Sequence, residues 1–170
     1  MYAPNLATGQ QRADWFAALL AGAQWHSESR PMYDRVVDVP RLTAYFALDA
    51  ELPPAVAGAR ALVETRFGLA FNSVGLNLYR DGRDSVAMHN DHTERLVPRS
   101  PIALLSLGDV RIMRIQTKAR PWQVLTIALE PGSVLLMAGA SQECWEHGVP
   151  KTREPVGPRI SLAFRQRLHP

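Results

Sequence analysis

Cysteine is almost absent. The 170 residues contain one, Cys144, so no internal disulfide can form and nothing points to a stapled secreted scaffold. No apolar run approaches the roughly 18–20 residues that a membrane-spanning helix needs. The polar start, Met1–Gln11, lacks the basic region and apolar core of a signal peptide. A soluble, cytoplasmic protein is the expectation. Repeats, low-complexity tracts and flexible linkers are also missing, which predicts a single domain over 1–170. Neither sign of charge dominates: charged residues make up 21% and the net charge is +3, too balanced for a disordered chain.

A hydrophobic share of 46% is enough for a sizeable core. Arginine dominates the basic set and lifts the pI to 9.4. Such a surface helps a polyanion approach, although enzymes without a nucleic-acid partner often carry the same charge.

Two helices are expected first. Thr8 is placed to cap one from about Gln10 to Ala23, with Trp15, Phe16, Leu19 and Leu20 on its apolar face. A second starts at Pro53-Pro54, carries Val56, Ala59, Val63 and Phe67 on one stripe, and stops at Gly68. Val36–Phe46 between them reads as extended. From Asn72 the pattern turns to short β-runs: Asn72–Arg80, Ile102–Leu107, Val110–Gln116, Gln123–Leu129, Ser133–Met137 and Ile160–Arg165. Asp81-Gly82, Gly108-Asp109, Pro131-Gly132, Gly139 and Pro158 mark turns, and Lys118–Pro121 a hairpin tip. The fold class is α+β, with helices bracing one sheet of a β-sandwich or barrel.

Two of these strands carry a polar face. Val74, Leu76 and Leu78 alternate with Asn77 and Tyr79; Ile160, Leu162 and Phe164 alternate with Arg159, Ser161, Ala163 and Arg165. Lining a barrel, those polar faces would receive a small dicarboxylate, since arginine pairs with carboxylate bidentately. An ordinary sheet with one solvated face alternates in the same way. Nearby, His89 and Asp91 form a His-x-Asp pair, and His147 follows far downstream. Two histidines and a carboxylate on one side of a metal leave positions open for oxygen and a chelating cosubstrate, the facial triad of non-haem iron(II) oxygenases. Three such residues also arise by chance in exposed loops; their order relative to the Arg-x-Ser-x-x-x-Arg strand is the more specific signal.

In that order the sequence resembles the AlkB-like family of iron(II)/2-oxoglutarate dioxygenases. The matching blocks are Asn77–Gly82, His89-Asn90-Asp91, Pro101–Gly108, Pro131–Met137, Trp145-Glu146-His147 and Pro158–Arg165, with a weaker one at Val39-Pro40-Arg41. The resemblance implies a double-stranded β-helix (jelly roll) over 72–166, N-terminal helices on one sheet, and a helical, substrate-lid region over 1–71. It implies His89, Asp91 and His147 as iron ligands and Arg159, helped by Tyr79, on the distal carboxylate of 2-oxoglutarate. Arg165 would serve the carboxylate near the metal, and Asn77 and Ser161 would add hydrogen bonds. Iron(II), 2-oxoglutarate and O2 would be consumed or recycled, with ascorbate as reductant in vitro. Oxidative decarboxylation gives succinate and carbon dioxide; hydroxylation of an N-methyl group gives a hemiaminal that loses formaldehyde.

The implied substrates are alkylated bases in single-stranded DNA or RNA, flipped out to reach the metal. Arg30, Arg35, Arg41, Arg95 and Arg99 are candidates for phosphates, and Tyr33, Tyr45 or Trp25 for stacking on the base, although core packing is the commoner role of any one such aromatic. Where base-repairing members often carry an acid two places after the metal aspartate, this chain has Thr93, with Glu94 beside it. An oxygenase acting on a protein side chain or metabolite stays open, as does a cupin-like metal-binding module without turnover. His92, His26 and His169 carry no assigned role, and Cys144 is expected to be a small buried hydrophobe.

Overall fold

The computed structural model describes residues 1–168 apart from 33, 34, 48, 50, 92, 139 and 140; the side chains of 30–32, 35–38 and 93 also fall outside the description. Tyr33, His92, Gly139 and His169 therefore lie outside the described residues, as do the side chains of Arg30, Arg35 and Thr93.

The chain runs β1 (Tyr2–Ala3), α1 (Gly9–Gly22), β2 (His26–Met32), β3 (Arg35–Ala47), α2 (Pro54–Phe67), β4 (Ser73–Tyr79) and β5 (Val86–His89). After a 3-10 turn at Thr93–Arg95 come β6 (Ile102–Gly108), β7 (Arg111–Thr117), β8 (Val124–Leu129), β9 (Val134–Met137), α3 (Ser141–Cys144), β10 (Trp145–Val149) and β11 (Arg159–Arg165). A major sheet has the order β1-β9-β6-β11-β4-β3-β2, and a minor sheet the order β5-β10-β7-β8. This is the expected jelly roll with helices on one sheet.

Alternation decides which side chains go where. Val74, Leu76 and Leu78 of β4 and Ile160, Leu162 and Phe164 of β11 point away from the minor sheet. They join Ala55, Val56, Ala59 and Val63 of α2 and Leu19 of α1 in one core. Burying each such Leu, Ile or Phe contributes about 1.5–3 kcal/mol. The opposite faces of the same strands look between the sheets, where Ile102, Leu104, Met113, Leu129 and Ala163 form a second core. The polar rows of β3, β4 and β11 share that inner face.

The termini of α1 depart from expectation. Thr8 occupies the N-cap in extended conformation but makes no side-chain cap hydrogen bond. The entry is fixed instead by Ala7 N–H donating to Gly132 O at 3.0 Å. Gly132 sits at φ +78, and an added Cβ would stand 2.0 Å from Ala7 O, so only glycine fits this approach. Leu20, expected on the apolar face, is 36% exposed because the buried stripe is narrow and centred on Leu19. Gly68 does end α2, in the left-handed conformation with its N–H on Glu64 O at 2.9 Å. Cys144 is exposed, contrary to expectation, because it closes the short α3 at the surface rather than facing a core.

Candidate active site

His89 and His147 are direct partners across the antiparallel pair β5–β10. Directly opposite residues on antiparallel strands project to the same face, and here the ring centres lie 4.5 Å apart. Nδ1 of His89 is 2.9 Å from Ala87 O. A carbonyl only accepts, so this contact calls for a proton on Nδ1 and leaves Nε2 as the nitrogen available to a metal. Burial, then the neighbouring His89, holds His147 down at about 4, so its ring is neutral near pH 7.

Asp91 follows β5 directly. Its Oδ1 accepts from Arg165 Nε at 3.0 Å and Nη2 at 2.5 Å. Oδ2 is buried without a hydrogen-bond partner and stands 3.8 Å from His147 Nε2. Burial pushes this carboxyl up, but Arg165 and then His147 outweigh it and hold the carboxyl below its ordinary value. An ionised, half-satisfied carboxylate beside two imidazoles is a donor set for a divalent cation. Among the described residues no three such side chains already close on one point at bonding distance. Two donors each about 2.1 Å from an ion can stand at most about 4.2 Å apart. The 3.8 Å between Asp91 Oδ2 and His147 Nε2 is within that reach.

The strand pair is braced from α3. Asn90 donates to Gln142 O at 3.0 Å and to Trp145 O, while Asp91 N–H donates to Gln142 Oε1 at 3.1 Å. Asn90 was visible only as the middle of a motif. Nothing in the sequence signalled Gln142, because its role depends on a tertiary approach.

Beneath lies a cavity of about 40 Å³ lined by His89, His147, Asn77, Tyr79, Arg159, Ser161 and Arg165, among others. Arg159 is 1% exposed; Nη2 donates to Ser106 Oγ at 2.8 Å, and Nε is buried with no partner. Burial pulls its guanidinium down to about 10, with the Tyr79 phenol opposing and Arg111 reinforcing. Burial likewise pushes the Tyr79 phenol up, against the pull of Arg159, Arg41 and Arg111, so it remains a neutral donor. Asn77 Oδ1 accepts from Arg41 Nε at 2.8 Å, and Arg41 lines both this cavity and the cleft above it.

Arg111 was missed. It is 3% exposed, stacks 5.6 Å from the Tyr79 ring centre, and donates to Asp81 O, Asp84 O and Pro150 O at 3.0, 2.9 and 2.7 Å. Its signal was an arginine in phase with Met113 and Ile115 on a strand's inner face.

Above, an open cleft of about 830 Å³ shares His89, Asn77, Arg41 and Arg165 with the cavity below, and adds Glu28, Thr43, Tyr45, Arg95 and Arg167. Glu94 is exposed and lies outside the lining of both, unlike the adjacent Arg95. Trp25 does not reach the cleft: it packs on the helical core and donates to Leu20 O at 3.3 Å. Arg99 sits exposed on a turn at φ +62.

The paired sheets thus hold an imidazole–imidazole–carboxylate cluster beside a buried arginine. The sequence matches the family model described as 2OG-Fe(II) oxygenase superfamily over residues 49–165, and the chain belongs to that superfamily, within its AlkB-like members. It is 31% identical to human alpha-ketoglutarate-dependent dioxygenase alkB homolog 3 over 91% of this chain and 62% of that protein. With mouse DNA oxidative demethylase ALKBH2 it shares 30% identity over 94% of this chain and 72% of the relative. The chain thus spans about three fifths of the length of the human relative. The structure of OsALKBH1 superposes with a TM-score of 0.71 at 16% identity, covering 98% of this chain and 97% of that one, a likeness of fold.

Proposed function

We propose that the protein is an iron(II)- and 2-oxoglutarate-dependent dioxygenase that removes N-linked alkyl groups from bases in DNA or RNA. One observation carries the reading. Two buried groups in adjoining cavities each have an atom without a partner: Asp91 Oδ2, which calls for a cation, and Arg159 Nε, which calls for an anion. A cupin-like module that only holds a metal has no use for the second. The likeness to the mouse relative, a DNA oxidative demethylase, supports the choice of substrate.

In this reading His89, Asp91 and His147 hold iron(II), which with O2 and 2-oxoglutarate supplies the oxidising chemistry. The chain's own residues position and shield. Arg159 takes the distal carboxylate of 2-oxoglutarate, with the neutral Tyr79 phenol as a further donor. Asn77 and Ser161 line the path to the metal end. Arg165 fixes the rotation of Asp91, so Oδ2 stays aimed at the cluster. Arg41, anchored on Asn77, separates cosubstrate cavity from substrate cleft. The small cavity leaves little room for bulk water, and the wide cleft admits a flipped base.

The test is succinate and formaldehyde release from N-methylated single-stranded DNA with iron(II), 2-oxoglutarate and ascorbate, beside His89→Ala. Both products, lost together in the variant, are expected. Succinate indifferent to DNA and RNA would move the substrate to a protein side chain or metabolite, and no succinate from folded, iron-loaded protein would end the oxygenase reading.

A further inference from the structure

The polar face of β3 continues beyond the cosubstrate end. Arg41, Thr43 and Tyr45 follow one another at every second residue on the inner face, and at about 3.3 Å per residue Tyr45 stands about 13 Å from Arg41. Arg41 bonds Asn77, and Thr43 donates to Glu28 Oε1 at 3.1 Å. Tyr45 ends the row at the cleft, 47% exposed.

Across from it lies Arg167, its guanidinium 5.2 Å from the Tyr45 ring centre. Arg167 is not a loose end of chain. Its N–H donates to Asn72 Oδ1 and its carbonyl accepts from Asn72 Nδ2, both at 2.8 Å. Leu96 bridges to Arg167, and the flanking bonds Val97 N–H to Gln166 O and Leu168 N–H to Arg95 O measure 2.9 and 3.1 Å. Yet the Arg167 Nε is buried with no hydrogen-bond partner. Arg95, on the segment bridged to it, lines the same cleft. The rim thus combines a fixed backbone, a guanidinium whose buried Nε has no partner, and a half-exposed aromatic ring that this guanidinium covers on one side.

We infer that Tyr45 and Arg167 form a subsite for the nucleotide next to the one that reacts: its base stacks on Tyr45 and its phosphate meets Arg167, with Arg95 alongside. The inference rests on the nucleic-acid reading above. Base stacking on an aromatic ring is tolerant of sequence, and a guanidinium binds phosphate oxygens as a fork. A single nucleotide held at the metal leaves both groups idle, whereas a strand supplies a neighbour for each. The preferred substrate is therefore a short single strand rather than a free nucleotide.

Fluorescence anisotropy on the full chain tests this with labelled, N-methylated single strands of one, three and five nucleotides. The wild type should bind the five-mer at least about tenfold more tightly than the mononucleotide. Tyr45→Ala and Arg167→Met should lose most of that gain, and Tyr45→Phe, which keeps the ring, should retain it. In Arg167→Met the slope of log affinity against log salt should shrink by about 0.7, one single-strand phosphate contact. Circular dichroism checks that each variant is folded. Equal five-mer affinities in the wild type, Tyr45→Ala and Arg167→Met would overturn the subsite. Formaldehyde from the same five-mer is scored separately. Tyr45-dependent binding without formaldehyde keeps the subsite and removes the demethylase reading; formaldehyde with unaltered variants does the reverse.

Discussion

Arg165 grips one oxygen of Asp91 with two guanidinium nitrogens and leaves the other oxygen buried and bare. Gly75, opposite Ala163 in the register, lies beside this arginine: a Cβ there would be in ordinary contact with Arg165 Nη1, at 3.4 Å. The arginine orients the carboxylate from behind. Arg165→Met is expected to weaken Mn(II) binding by about 10–100-fold, the usual cost of losing a partner that orients a ligand. Titration followed by electron paramagnetic resonance measures it; unchanged affinity would show that Asp91 needs no support.

Arg159 is the complementary case, a buried cation awaiting an anion. Replacing it with Met should raise the dissociation constant for 2-oxoglutarate about 10–100-fold, as expected for charged hydrogen bonds. Arg159→Lys should recover only part, because an ammonium lacks the planar fork. Isothermal titration of the Mn(II)-loaded protein distinguishes these outcomes, and a wild-type affinity in Arg159→Met would remove the residue from the cosubstrate site.

Gln142 holds the Asp91 N–H from another part of the chain. Gln142→Leu leaves that donor without an acceptor and should cost about 1–3 kcal/mol of unfolding free energy. The loss should be larger with Mn(II) present than without, since the loop carrying Asp91 is the part released. Urea unfolding in both conditions reads the difference.

Asp84 supplies the pH dependence. Burial pushes its carboxyl up, but the hydrogen bonds from Arg80 and the Arg80 charge prevail, so the folded value lies below the unfolded one. Such a group stabilises the fold fully above its unfolded value and loses that contribution as pH falls through the folded one. Asp84→Asn should therefore be less stable by about 1 kcal/mol at pH 7, a figure discounted because Arg80 is half exposed. The gap between the proteins should close below about pH 4. A gap that persists at pH 2 would assign it to the hydrogen bonds of Asp84 and not to its charge.

Much of this was legible in the sequence for a physical reason. Alternation with period two reports a strand's buried face directly, so β4 and β11, with Asn77, Tyr79, Arg159 and Ser161 on the inner side, were readable from the order of residues. Local signals failed where tertiary contacts decide. The four-residue β5 and the five-residue β10 are too short to show a period, yet their register brings His89 to His147. Likewise β2 owes its pairing to β3, because its own residues, His26–Met32, have no strong strand preference. Cys144 defeats such a reading, since composition cannot tell an outward-facing turn from a core.

The strand that carries His89 is also one of the two edge strands of the minor sheet, with a neighbour on one side only. Its register with β10 shifts between His147 and Val149, so few ladder bonds hold it in place. An ion shared between β5 and β10 would then act as a crosslink, and filling the site would reel in this edge of the barrel. Occupancy and edge order become one equilibrium, in which an empty protein breathes at the very place where its geometry must later be tightest.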